Sequence, residues 1–126
     1  MFQIDVLSRM PIYEQLISQM ERFILTGILQ KDEQLPSVRN LSLELSVNPN
    51  TIQKAYSELD RRGITYVVPG RGCFVAADAA GKIGCYRRSQ LDQLVEQLRE
   101  LVMAGITREE LMACVEKAFG KEEAAS

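Results

Sequence analysis

Two helix-start signals, Pro36-Ser37 and Asn48-Pro49, limit what the middle of this chain can form. Serine and asparagine cap helices well because their side-chain oxygens accept from backbone N–H groups of the first turn. Proline suits the first helical position, where its missing N–H costs nothing. The two caps stand eleven residues apart. That spacing leaves room for one short helix, with Val38, Leu41 and Leu45 inward, and a tight turn at Ser46-Val47. The second cap opens a helix whose buried face is Ile52, Ala55, Tyr56 and Leu59, and Gly63 ends it. Helix, tight turn, helix is the arrangement this spacing predicts.

The flanks extend the pattern. Residues 11–26 read as a helix with Ile12, Leu16, Met20, Phe23 and Ile24 on one face, and the polar residues 28–35 read as a loop. Residues 64–68 and 73–76 are β-rich and enclose Pro69-Gly70-Arg71-Gly72, which predicts a β-hairpin. The small residues 77–84 predict a boundary, dividing the chain into residues 1–77 and 78–126. Beyond it, Leu91, Leu94, Val95, Leu98, Leu101 and Val102 recur at helical spacing, predicting an amphipathic helix of about 18 residues. Thr107 and Glu110 form a capping box that opens a last helix. The fold class expected is mainly α with a small β-hairpin: a winged helix-turn-helix followed by a two-helix tail.

Several function classes fall away. The 126 residues hold no histidine and three widely spaced cysteines, so a disulfide framework, a usual zinc site and a histidine-based triad are all unavailable. No metal or cofactor is expected, and no enzyme activity. Gly70-x-Gly72 lacks the further elements of a phosphate loop. No uninterrupted apolar run exceeds five residues, far short of the ~20 of a membrane span. The N-terminus has no signal-peptide pattern, so a cytoplasmic protein with no membrane partner is expected. Net charge is −2, yet residues 36–72 carry five basic groups against three acidic ones. A basic island inside an acidic chain permits a nucleic-acid partner.

The second helix of the pair supplies the chemistry. With its apolar face inward, it presents Asn50, Gln53, Lys54 and Ser57 outward. Amides can bond base edges in a major groove ~12 Å wide, and a lysine can meet a phosphate. Arg71, between two glycines, is placed to enter a minor groove. Arg61 and Arg62 read as solvated or helix-end charges, and Cys85 and Cys114 as inert.

The wording Pro11-Ile12-Tyr13-Glu14-Gln15, Leu35-Pro36-Ser37-Val38-Arg39, Val47-Asn48-Pro49-Asn50-Thr51-Ile52-Gln53-Lys54-Ala55-Tyr56 and Gly70-Arg71-Gly72-Cys73-Phe74-Val75 closely resembles the DNA-binding domain of the GntR family. The short tail resembles the YtrA-type subgroup. The resemblance implies a transcription regulator, most often a repressor, that binds a palindromic operator as a homodimer, in this subgroup often at transporter operons. It implies DNA contact by Arg39, Asn48, Asn50, Thr51, Gln53, Lys54 and Gly72, with Arg71 beside it. Tyr56 matches a residue that often touches a phosphate, although its position on the helix also reads as core. Three departures stand out. Ser46 replaces a usual glycine, Cys73 a common threonine, and Val68-Pro69 the basic residues frequent before the wing glycine. The last two predict a weaker grip by the wing, and a left-handed Ser46 would carry strain of ~1 kcal/mol or be relieved by its own hydroxyl.

The tail stripe demands a partner surface. Each uncovered Leu or Val costs ~1.5–3 kcal/mol, and a symmetric dimer through Leu91, Leu94, Val95, Leu98, Leu101 and Val102 is the simplest cover. The dull alternative is a last helix folded back over the stripe within one chain. A rival function is a small-molecule-gated interaction module whose tail binds an unknown effector, with DNA contact secondary. Few inward polar residues between 91 and 119 favour it.

Overall fold

The computed structural model describes residues 2–125, with side chains as far as Gly120. Its elements run α1 (Ile12–Leu25), α2 (Val38–Leu45), α3 (Pro49–Arg61), β1 (Thr65–Val68), β2 (Gly72–Val75), α4 (Ala79–Arg88), α5 (Leu91–Met103) and α6 (Arg108–Ala125). The chain divides into two compact units, Met1–Tyr86 and Arg87–Ser126.

In the first unit α3 packs against α1, α2 and β1. The expected caps are present: Ser37 Oγ accepts from Asn40 N–H at 3.0 Å, and Asn48 Oδ1 from Asn50 N–H at 2.8 Å. Leu16, Met20, Leu41, Ile52, Leu59, Ile64 and Val75 are fully buried and form the centre of the core. Ile64 follows Gly63 at the end of α3, and its N–H returns to the Leu59 carbonyl at 3.0 Å. That bond closes α3 while carrying an apolar side chain into the core and starting the hairpin.

The hairpin pairs Thr65 with Val75 through Val68 with Gly72. Tyr66 and Phe74 sit opposite each other with ring centroids 5.6 Å apart. Residues 32–35, expected as free loop, instead run along the outer edge of β2. Asp32 N–H donates to the Val75 carbonyl at 2.7 Å, Val75 N–H to Glu33 at 2.9 Å, and Leu35 N–H to Cys73 at 2.8 Å. Backbone groups alone make this edge, so no alternation of side chains announces it.

The stretch 77–84 also departs from expectation. It is largely helical, because Ala79 and Ile83, four residues apart, bury one face of α4 in the first unit's core. The break between units accordingly falls after Tyr86 rather than after residue 77.

In the second unit, α5 spans 13 residues, shorter than the periodicity predicts, because α4 already claims residues through Arg88. Ile106 N–H reaches back to the Leu101 carbonyl at 3.0 Å and ends α5. The capping box is present: Glu110 N–H donates to Thr107 Oγ1 at 3.2 Å, and Thr107 N–H to Glu110 Oε2 at 2.8 Å. No residue of α5 is buried. The alternative in which the last helix folds back and covers the stripe is therefore not what the chain does. Among the described residues, no helix is long and apolar enough to cross a membrane.

Candidate nucleic-acid interface

Helix α3 turns Ile52, Ala55, Tyr56 and Leu59 inward, and its other face is left to solvent. On that face Asn50, Gln53 and Lys54 are exposed and Thr51 is half-buried. Asn48 spends its side-chain oxygen on the cap, so its main role here is to start the helix. Gln53 donates from Nε2 to Ser57 Oγ at 3.1 Å, which steadies the amide and leaves its oxygen able to accept. Lys54 is not a free tether. Its Nζ lies 3.9 Å above the Tyr13 ring, which fixes the cation at the α1 side of the recognition face.

Arg39 lies in the first turn of α2, exposed, and its side chain makes no hydrogen bond or ion pair within the described residues. The guanidinium of Arg71 is likewise exposed and uncommitted. Its main chain is not. The N–H of Arg71 donates to the Val68 carbonyl at 2.9 Å across Pro69-Gly70, and its carbonyl accepts from Gln34 Nε2 at 2.7 Å. Gly70 has φ +78, the left-handed value that the third position of such a turn requires. Gly72, at φ +125, has Gln34 Nε2 only 2.8 Å from where a Cβ would stand. It is the positive φ that makes glycine necessary for the wing's path, whatever else it touches.

Tyr56 needs correction. It is 6% exposed, and its hydroxyl donates to the Pro36 carbonyl at 2.7 Å, tying α3 to the start of α2. Burial first, and Cys73 second, raise its phenol above the ordinary value. A buried hydroxyl already spent as a donor is a structural bolt rather than a phosphate contact.

Gln53, Ser57 and Asp60 of α3, Arg71 to Cys73 of the wing, and Gln34 to Val38 line one cleft of about 400 Å³. The recognition helix and the wing thus border the same groove. Gln34 and Asp60 enter this site without having stood out in the sequence, whereas Ser57 is one of the outward residues that helical spacing predicts. Gln34 and Asp60 carry no such signal. Burial raises the Cys73 thiol above its usual value, so this cysteine packs rather than reacts. Among the described residues, no cluster of three or more cysteine or acidic side chains could hold a metal.

A three-helix core with a short hairpin, an exposed third-helix face and a cation at the hairpin tip defines a winged helix-turn-helix DNA-binding protein. The profile of the bacterial regulatory proteins, gntR family, matches residues 12–75. The HTH-type transcriptional repressor YtrA of Bacillus subtilis is 40% identical over 88% of this chain and 86% of its own. The chain belongs to the GntR family, whose members are transcription regulators and not enzymes, and it is of YtrA type. A GntR family transcriptional regulator from Listeria monocytogenes superposes with a TM-score of 0.66 at 36% identity, covering 90% of this chain and 98% of that one. The DNA-binding domain of AraR, solved in complex with operator ORX1, matches with a TM-score of 0.53 at 32% identity, over 59% of this chain and 92% of that one.

Proposed function

We propose that this regulator represses transcription in the cytoplasm by occupying a palindromic operator as a homodimer. Asn50, Thr51 and Gln53 read base edges in the major groove with Arg39 beside them, Lys54 holds the backbone, and Arg71 reaches the minor groove. Control of a transporter operon, which YtrA-type resemblance implies, belongs to the same proposal. The observation that carries the reading is the shared cleft: Gln53 and Ser57 of the exposed α3 face and the uncommitted Arg71 open onto one groove. The AraR–operator complex supports DNA as the ligand, since that related domain is bound to its operator.

The dimer rests on the second unit. Leu91, Leu94, Val95, Leu101 and Val102 are all more than two-fifths exposed, and only Leu98 is half-buried. A second copy of the same stripe covers this face and sets two recognition helices on symmetric half-sites. An effector pocket in the tail has less support. The hollow beside α5 is lined by Arg87, Gln90, Leu91, Gln93, Leu94 and Gln97 and is open to solvent on the exposed helix.

Selection of duplexes from a random-sequence pool, followed by titration, tests the proposal. Arg39→Ala and Gln53→Ala each cost ~1–3 kcal/mol on the selected operator. Lys54→Ala weakens all sequences alike and lowers the salt slope by about 1 per subunit. Unchanged affinity for both Arg39→Ala and Gln53→Ala sinks the assignment of this face.

A further inference from the structure

Gln34 stands outside the helix-turn-helix and outside the hairpin, yet it touches the wing at its tip. Its backbone forms a bridge with Phe74 of β2, which fixes where the side chain starts. From there Nε2 crosses to the Arg71 carbonyl at 2.7 Å, linking residues 37 apart in the chain. The same nitrogen lies 2.8 Å from the position a Cβ would take on Gly72, so in this position the amide packs against bare glycine backbone. Hydrogen bonds therefore hold Arg71 at both its N–H and its carbonyl, from Val68 on one side and Gln34 on the other. A hairpin tip with Gly70 and Gly72 on either side of an arginine is otherwise free to swing, because glycines restrict the backbone least.

We propose that Gln34 is a positioning residue for DNA binding: its amide fixes the main chain of Arg71 so that the free guanidinium is aimed before DNA arrives. The inference rests on the reading of the wing as a DNA contact. Fixing the tip in advance removes ordering entropy from the binding step, and such preorganisation appears as affinity without any new contact to the ligand. The departures Val68-Pro69 give this role weight in this chain. With no further cation in residues 64–76, what the wing contributes passes through the single side chain that Gln34 steadies.

A double-substitution cycle on the duplex selected by the wild-type protein tests the proposal. Gln34→Met keeps the length and removes the donor; Gln34→Glu keeps the shape and sets an acceptor against the carbonyl. Each lowers affinity about threefold to tenfold, the range of one net hydrogen bond. Combined with Arg71→Ala, neither lowers it further than Arg71→Ala does alone, within about twofold. A general defect of the scaffold would instead add to the Arg71 loss. Wild-type affinity in Gln34→Met and Gln34→Glu, or additive losses in the double variants, overturns the role of Gln34 and leaves the wing reading standing. If Arg71→Ala itself binds like wild type, the wing reading falls and the role of Gln34 falls with it.

Discussion

The guanidinium of Arg62 lies 3.7 Å from the centre of the Tyr86 ring, joining the end of α3 to α4. Far from being a solvated charge, Arg62 has a side chain only 12% exposed. Its Nε donates to Glu58 Oε1 at 2.9 Å, and its Nη1 stands 4.0 Å from Glu21 of α1, itself 3% exposed. One residue thus links three helices and attaches α4 to the winged-helix core.

Removing that link has a calculable cost. Arg62→Ala removes the charge-assisted hydrogen bond to Glu58 and a cation 4.0 Å from Glu21, and costs ~1.5–3 kcal/mol. Tyr86→Ala removes the ring under the guanidinium and costs ~1–2 kcal/mol. Urea denaturation of both variants gives the order. Equal, small losses would return Arg62 to the surface charges.

Acid should loosen the same corner. Glu58 is held down to about 2, first by its hydrogen bond from Arg61 and then by Arg62, against partial burial that pushes it up. Unfolded, the group titrates at about 4.3. A depressed folded value means the contribution is complete above the unfolded value and is lost as pH falls through the folded one. Stability therefore declines between about pH 5 and pH 2 through this residue, by ~1–2 kcal/mol after allowing for solvent screening at the exposed Arg61. Thermal midpoints across that range show the decline in wild type, and Glu58→Gln flattens it. A slope unchanged by the substitution places the acid sensitivity elsewhere.

How much of this was legible in the sequence follows from the range of the interactions. The starts of α2, α3 and α6 could be read because Ser37, Asn48 and Thr107 act on the backbone two or three residues on. Buried faces of α1 and α3 could be read because helical spacing is local. Gln34 with Arg71, Tyr56 with Pro36 and Arg62 with Tyr86 could not, since each pairing spans 20 or more residues and depends on how elements pack. In residues 77–84, composition misled. Small residues look like a linker, and only Ala79 and Ile83 in the core reveal a helix.

Ser46 is a site where the sequence pointed to strain, and strain is present. It ends α2 in the left-handed conformation, φ 55 and ψ 44, where a non-glycine residue pays ~1 kcal/mol. Its hydroxyl forms no hydrogen bond among the described residues that would offset this. Ser46→Gly relieves the clash but adds freedom to the unfolded chain, so the net gain is ~0.5 kcal/mol. A higher urea midpoint with an unchanged slope is the expected result, and Ser46→Ala should show no such gain. A lower midpoint for Ser46→Gly would mean that the turn is not strained by its side chain.

In the proposed homodimer, the tail decides whether two half-sites are read together. Leu98 is the one half-buried member of the α5 stripe, four residues beyond the exposed Leu94. In a two-fold interface each substitution appears twice, and Leu98→Glu sets two carboxylates into an apolar seam. An unpaired buried charge costs several kcal/mol, and like charges repel besides. The variant should be a monomer with an intact winged helix, because none of the first unit's core residues is changed. A monomer reaches one half-site, so the ~10²–10⁴-fold gain from tethering two readers is lost on the full operator. The salt slope falls to about half, since half the phosphates are met. Sedimentation of Leu98→Glu beside wild type, with titration on full and half operators, checks both consequences. A variant that stays dimeric, or a wild type already monomeric, removes α5 from the interface and leaves its exposed leucines to some other partner.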